Sequence, residues 1–534
     1  MEIWSWICEL LEFGQWSTDE SNSPLFFPLV TSSTYKSPSR VSDKGTGDDF
    51  QPIQIKAERS FDTDSGAAAT FSILHGENTL WVSDTCPLDS KQPFLPLILQ
   101  LLQEIISCAP TAQDGCCPRS QLQKLKPDPV LWILESHSSE SISNFFDVVL
   151  LMRLFWLCVC NAPPEVGSMY FHTLLAPNLE LFSCSQAPVL RNFFVSVGVD
   201  LEMCFMRTFG YMTAKLLILK ELGVGLQMVM PQPFRNLGFS YAVESHGLWI
   251  MKSYAAVSAM RLTRRNKQIG RFSGLNPQEA VLKYALAHQQ LEAVMQLEYS
   301  VKFSDGFIQV GARVDNLRFH IAKLGFNKNE DDDFINEMYF PSKVKVWVGP
   351  EMGANYVTSL SLGRSTDNWE QEVETQRVLK GNFGKLKAPE LKTTSRTMTR
   401  SKMRSWRWDQ SADGNVANFE STLCDNATGV EVASWKPSIG GGDYYKLGDH
   451  FRDRYTGANR AFAKNGDLVF SGSECGERVE WRLNKEMEGS VLKWRIGGQV
   501  WLSYLPNEVS TSYFETRCVE WCDEVDLPLI ISDQ

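Results

Sequence analysis

Seven histidines, thirteen cysteines and 63 acidic residues supply this 534-residue chain with groups that could do chemistry. Their spacing gathers few of them. Cys518-Val519-Glu520-Trp521-Cys522 sets two thiols four residues apart. On a helix they would share a face and hold a metal with a further ligand; on a strand they would point to the same side of a sheet. No histidine or second cysteine pair lies nearby in sequence. Cys116 and Cys117 are vicinal, a spacing that bridges only with strain. His288 falls among apolar positions and reads as a core histidine. His320 follows Arg318 and Phe319 in a strand-like run and is a candidate to face a cavity, with Asp315 close by in sequence. The acidic run Glu330-Asp331-Asp332-Asp333 lacks calcium-loop spacing and reads as a solvated loop. Gly472-Ser473-Glu474-Cys475-Gly476 matches a nucleophile elbow in composition only and reads as a hairpin loop. A phosphate-cradling P-loop, a dinucleotide fingerprint and a His-Glu-x-x-His zinc signature are all missing. No catalytic, cofactor or metal residue is assigned.

One segment departs from the average. Between Arg377 and Arg407 lie ten basic residues and a single acid, Glu390, a net of +9 in a chain whose total is −11, so the remainder carries −20. Lys385, Lys387, Lys392, Arg396, Arg400, Lys402, Arg404 and Arg407 are the candidate anion-binding residues. Threonines and serines are interleaved, and Trp406 and Trp408 close the run. Two readings stand. One is an arm for an acidic protein, an anionic lipid surface or nucleic acid. The other is a basic loop docked on the acidic rest of the chain. The overall acidity argues against general nucleic-acid binding by the whole protein.

These groups need elements to position them. Apolar residues make up 43% and charged residues 22% of the chain, ordinary values for a globular protein large enough to bury a core without staples. The odd cysteine count, with Cys158 and Cys204 inside apolar runs, suits a reducing compartment. The start, Met1-Glu2-Ile3-Trp4, has no basic n-region and is not expected to be a secretory signal. Cytoplasm or nucleus is the expected location, with a plastid as the alternative. The apolar run 145–160 is interrupted by Asp147 and Arg153, and reads as a buried helix; no transmembrane span is expected.

Along the chain, 1–30 is an amphipathic segment and 31–50 a flexible linker. Residues 51–235 form a mainly helical domain with short strands near 53–58, 70–74 and 80–82. From 236 to 534 an antiparallel β domain follows, with one helix over 277–296 and a basic loop over 377–407. That helix rests on Asn276-Pro277-Gln278-Glu279, a capping pattern, and on an apolar face of Val281, Tyr284, Leu291 and Met295. Beyond it the period is two: Val344, Val346 and Val348 alternate with Lys343, Lys345 and Trp347. Hairpin turns are expected at Asp305-Gly306, 425–429, Asn465-Gly466 and Gly497-Gly498. The expected fold is α+β, a mainly helical N-terminal half packed with a C-terminal antiparallel β-sandwich or barrel-like sheet.

The stretch from Thr79 through Pro87 to Glu104, and that from Tyr513 to Leu529, resemble a family of uncharacterised plant proteins over most of the chain. The resemblance implies a plant source and carries over no activity or site residue. The function expected is therefore a non-enzymatic intracellular binding or scaffold role. The alternative is a small-molecule binder or enzyme whose pocket is lined by the tryptophans of the β domain, such as Trp408, Trp481 and Trp494.

Overall fold

A computed structural model describes residues 2–12, 23–31, 51–62, 66–112, 124–182, 188–221, 238–257, 288–325, 338–363, 365–366, 372–380, 394–402, 405–425, 430–434, 465–471, 475–504 and 515–530. The fold is α+β with antiparallel sheets, as the change of hydrophobic period predicts. Two compact units divide the chain. The first is Met1–Tyr241 with Ser253–Glu292 and Ala322–Glu330; the second is Ala242–Lys252 with Ala293–Ile321 and Asp331–Gln534.

The first unit contains α1 (Ile3–Glu12), β1 (Leu25–Val30), β2 (Ile53–Asp62), β3 (Gly66–His75), β4 (Asn78–Val82), β5 (Cys86–Pro87), α2 (Leu95–Cys108), β6 (Thr111–Ala112), α3 (Pro127–Ser136), α4 (Ser139–Phe155), α5 (Pro164–Met169), α6 (Pro188–Val197) and α7 (Val199–Glu221). β1 to β4 pair in chain order, and β5 joins β3. Ser138 caps α4, its hydroxyl accepting from the Ser141 N–H at 3.4 Å. Every residue of α4 from Phe145 to Phe155 is buried, so the run that is apolar on all sides packs on all sides. With its extension to Val159 it is, among the described residues, the one helix long and apolar enough to cross a membrane, and 89% of its most apolar window is buried inside the structure.

Helical winding then loosens to a π-helix over Trp156–Asn161 and again over Tyr170–Leu175. A wider turn displaces backbone hydrogen bonds, and nearby hydroxyls take up carbonyls: Tyr170 Oη donates to the Leu151 carbonyl at 2.9 Å, and Thr173 Oγ1 donates to that of Met169. Arg153 on α4 is paired with Glu104 on α2 at 2.5 Å. The same carboxylate accepts from Trp81 Nε1 at 2.8 Å and from Gln100 Nε2 at 2.9 Å. The 79–87 and 96–104 stretches are thereby tied together by one acid.

β7 (Gly238–Ser245), β8 (Leu248–Ala256), β9 (His288–Phe303) and β10 (Phe307–Gly325) are divided between the units. The second unit also holds β11 (Phe340–Pro350), β12 (Val357–Leu362), β13 (Glu372–Lys380), β14 (Thr394–Lys402), β15 (Trp406–Asp413), β16 (Val416–Leu423), β17 (Asp467–Ser471), β18 (Arg478–Asn484), β19 (Val491–Tyr504) and β20 (Glu515–Pro528). One sheet runs β12-β18-β10-β9-β8-β7, with β17 also on β10. A five-stranded sheet runs β15-β16-β11-β19-β20, and β13 pairs β14 as a separate ribbon. Val344, Val346, Val348, Trp494, Ile496 and Val500 of the five-stranded sheet are fully buried. Their face meets rings from the other sheet: Trp249 stacks on Trp494 at 6.1 Å, Trp481 meets Trp494 edge-on at 5.2 Å, and Phe470 meets Trp408 at 4.9 Å.

Four expectations are corrected. The helix expected over 277–296 is absent from its described part: residues 288–296 belong to strand β9, and 277–287 lie outside the described residues. Ala293, Met295 and Leu297 are buried in alternation with Val294, Gln296 and Glu298, and pairing in the sheet overrides a pattern that also fits a helix. Gly497-Gly498 is no turn, because β19 runs straight through it. A methyl at Gly497 would lie 2.1 Å from Trp347 Cζ2, and one at Gly498 2.9 Å from Trp521 Cζ2; the glycines let two rings lie against the backbone. Residues 430–434 form a turn with a single bridge, Cys424 to Glu431, instead of a strand, and β16 hairpins with β15 through Gly414 at φ +58°. The described part of the expected basic loop over 377–407 is mostly strand, since 394–402 pairs with 372–380, where β-branched threonines and valines suit extended backbone, and 381–393 and 403–404 lie outside the described residues. The expected turn at Asp305-Gly306 does join β9 to β10, with Ser304 N–H on the Phe307 carbonyl at 3.0 Å.

Candidate functional site

The residues with a chemical claim on the solvent sit on the second face of the five-stranded sheet. Alternation decides this. Burying Val344, Val346 and Val348 turns Lys343, Lys345 and Trp347 to the opposite side. Register then carries that side across the sheet: Arg407 on β15 opposes Thr422, which opposes Lys343, which opposes Trp501, which opposes Cys518 on β20. Two residues along, Glu420, Lys345, Gln499 and Glu520 are aligned in the same way, and next come Asn418, Trp347, Gly497 and Cys522.

Trp347 and Trp501 are both part-exposed. Arg495 lies 5.6 Å from the Trp347 ring centroid, and Lys343 Nζ lies 5.2 Å from that of Trp501. The cations are balanced. Lys343 Nζ is 2.5 Å from Glu420, Lys493 Nζ is 2.6 Å from Asp526, and Arg495 opposes Glu524 in register. Such a face can stack planar or apolar surfaces on its indoles and hydrogen-bond polar edges.

The sequence candidates are distributed as follows. Arg407 joins this face at its β15 end. Arg396, Arg400 and Lys402 are on β14, opposing Val378, Glu374 and Glu372 of β13. Lys385, Lys387, Lys392 and Arg404 lie outside the described residues. Cys518 and Cys522 lie on a strand, on one exposed side of it, about 13 Å apart by strand rise, too far to bridge to each other. Burial of the sulfurs, then the Glu520 carboxylate for Cys518 and Asp523 for Cys522, raises both thiols above their ordinary value. His320 Nδ1 contacts the Asp467 carboxylate across β10 and β17, at a half-buried sheet position. Asp315 sits 4.0 Å from Arg313, which also pairs with Glu298 at 2.5 Å. Among the described residues no three His, Cys, Asp or Glu side chains are placed to hold a metal ion. Trp408, Trp481 and Trp494 are buried against other rings, as core tryptophans are. Sequence reasoning overlooked Lys343, Lys345 and Trp347 as a site, although their alternation with the valines is the signal that exposes them.

No family model matches the chain, and no curated protein matches its sequence. Among solved structures it is similar to the membrane-inserted form of the Clostridium perfringens NetB toxin, at 10% identity over 54% of this chain and 94% of that one, with a TM-score of 0.20. It is also similar to Clostridium perfringens delta-toxin, at 11% identity over 54% and 96%, with a TM-score of 0.21. A structure described as a pore forming protein gives 10% identity, 54% and 88% coverage, and a TM-score of 0.19. Scores of this size transfer neither fold nor function to this chain.

Proposed function

We propose that this protein is a binding or scaffold protein, and that its basic segment 377–407 engages an anionic partner. The observation that carries the reading is the charge segregation: +9 within 31 residues of a chain that is otherwise −20. The β13–β14 pairing sets Arg396, Arg400 and Lys402 on one strand, with Glu374 and Glu372 opposite two of them in register, so the surplus of positive charge belongs to the segment as a whole. The fold supporting this role is a mainly helical N-terminal half and a C-terminal half built as a β-sandwich, the latter favoured by the ring contacts between the two sheets of the second unit. A reducing location, cytoplasm or nucleus, accords with the buried thiols of Cys86, Cys158, Cys424 and Cys475. The alternative of a tryptophan-lined pocket loses support from the burial of Trp408, Trp481 and Trp494 against other rings.

The test is binding to phosphatidylserine vesicles, to single-stranded RNA and to an acidic peptide over a salt series. Binding to at least one should fall steeply with salt. The variant Arg396→Gln/Arg400→Gln/Lys402→Gln should weaken it tenfold or more and flatten the salt dependence. Salt-independent binding, or none to any of the three, overturns the reading.

A further inference from the structure

The part-exposed indoles of the five-stranded sheet form a pattern that the basic segment does not explain. Trp347 and Trp501 lie on adjacent strands, β11 and β19, and Trp501 is four residues along β19 from Gly497, which opposes Trp347. Strand rise places the two rings about 13 Å apart along the sheet and one strand spacing apart across it. Between them, on the same face, lie Lys345 and Gln499, with Glu420 beside Lys345 in register. The order along this face is therefore aromatic, polar, aromatic.

Keeping Trp347 there requires a glycine. Any side chain at Gly497 would run into the indole, so the backbone beneath the ring is bare. Lys343 and Arg495 hold positions close to the two rings by cation–π contact. Those two cations, and Lys493 beyond them, each have an acid opposite or in contact. A face whose charges are already matched gains little from a polyanion. Arg407 of the basic segment borders this face at its β15 edge, but the matching of charge across β11, β19 and β20 disfavours nucleic acid, whose affinity comes mainly from phosphate contacts.

We propose that this face binds an uncharged oligosaccharide. A pyranose offers one flat C–H surface and a rim of hydroxyls. The C–H surface stacks on an indole, and the hydroxyls bond amide, ammonium and carboxylate groups such as Gln499, Lys345 and Glu420. The spacing of the two indoles, four residues along the strand direction, fits a chain of several sugars laid along the strands and not a monosaccharide. The reading is independent of the anionic partner of the basic segment.

The experiment titrates the full-length protein with cellohexaose, mannohexaose and maltohexaose, following tryptophan fluorescence and heat of binding. An oligogalacturonide and a ten-nucleotide DNA strand serve as charged comparisons. At least one neutral hexaose should bind, with affinity nearly independent of salt, and its monosaccharide should not. Trp347→Ala and Trp501→Ala should each weaken binding tenfold or more. Both positions are part-exposed, and an unchanged circular dichroism spectrum and melting temperature would show that folding is retained. Gln499→Ala, a milder change, should weaken binding two- to fivefold. Failure of all three neutral hexaoses to bind overturns the proposal, as does binding that survives both tryptophan variants. Preference for the oligogalacturonide or the DNA, with a steep loss in salt, also overturns it and moves the partner to the anionic class.

Discussion

Helix α7 of the first unit and the outer face of the five-stranded sheet in the second treat the same ionic groups in opposite ways. In the first unit α7 carries Glu202, Arg207 and Lys215, each at most 2% exposed. Arg207 grips the buried Glu292 through two contacts, at 2.9 and 3.3 Å, and Glu202 accepts from the hydroxyls of Tyr241 at 2.6 Å and Tyr254 at 3.0 Å. In the second unit Lys343 and Glu420 make a pair just as short, 2.5 Å, at a part-exposed sheet face. Distance alone does not distinguish them; solvent does. A buried ion has given up its hydration and depends on its partner, whereas an exposed one recovers water when the partner leaves. The buried pairs therefore fix which side chains α7 places in the core, and the exposed pairs leave a surface free to exchange partners.

That contrast can be broken most forcefully at Arg207. Arg207→Ala strands the Glu292 carboxylate in the core and should cost about 3–5 kcal/mol, measured by urea unfolding. Removing both charges, with Arg207→Met and Glu292→Leu, should recover most of that loss. A single variant as stable as the parent would show that water reaches the pair.

The next effect depends on pH. Asp147 on α4 is 1% exposed, and burial raises its carboxyl to about 6 from an ordinary 3.8. Between those values the folded chain holds a proton that the unfolded chain has released, so stability falls as pH rises through this window. The loss is on the order of 3 kcal/mol by pH 7. Asp147→Asn cannot ionise, so its melting temperature relative to the parent should rise between pH 4.5 and pH 7.5. A pH-independent difference would remove the burial argument.

The smallest effect is expected at the exposed pair. Lys343→Ala loses the ion pair with Glu420 and the contact with Trp501, and should change stability by less than about 1 kcal/mol. A loss as large as that at Arg207 would mean that the sheet face is covered in solution.

Much of the framework was legible in advance because single elements carry their own period. The valines at 344, 346 and 348, the all-round apolar run of α4 and the Asp305-Gly306 turn needed no tertiary knowledge. The segment 288–296 did, since Leu291 and Met295 satisfy a helical face while Leu291, Ala293 and Met295 satisfy a strand. Only the pairing offered by neighbouring strands breaks that tie. Gly497 and Gly498 misled for a related reason. Glycine marks both a turn and a place where another group must come close, and which one applies depends on Trp347 and Trp521, 150 residues before and 24 residues after Gly497 in sequence. The candidate site was half visible: its lysines and indole could be seen alternating with the valines. Its assembly from five strands could not, because register across a sheet is set by contacts distant in sequence.

By itself, then, the order of residues determined the local periods, the turn at 305–306 and the isolated charge of 377–407, all properties of neighbours along the chain. Only the tertiary structure decided that 288–296 is extended, that two glycines receive indole rings, and that Arg207 and Glu292, 85 residues apart, share one buried site. Those outcomes depend on pairing and burial, whose free energies arise between segments that no local window contains.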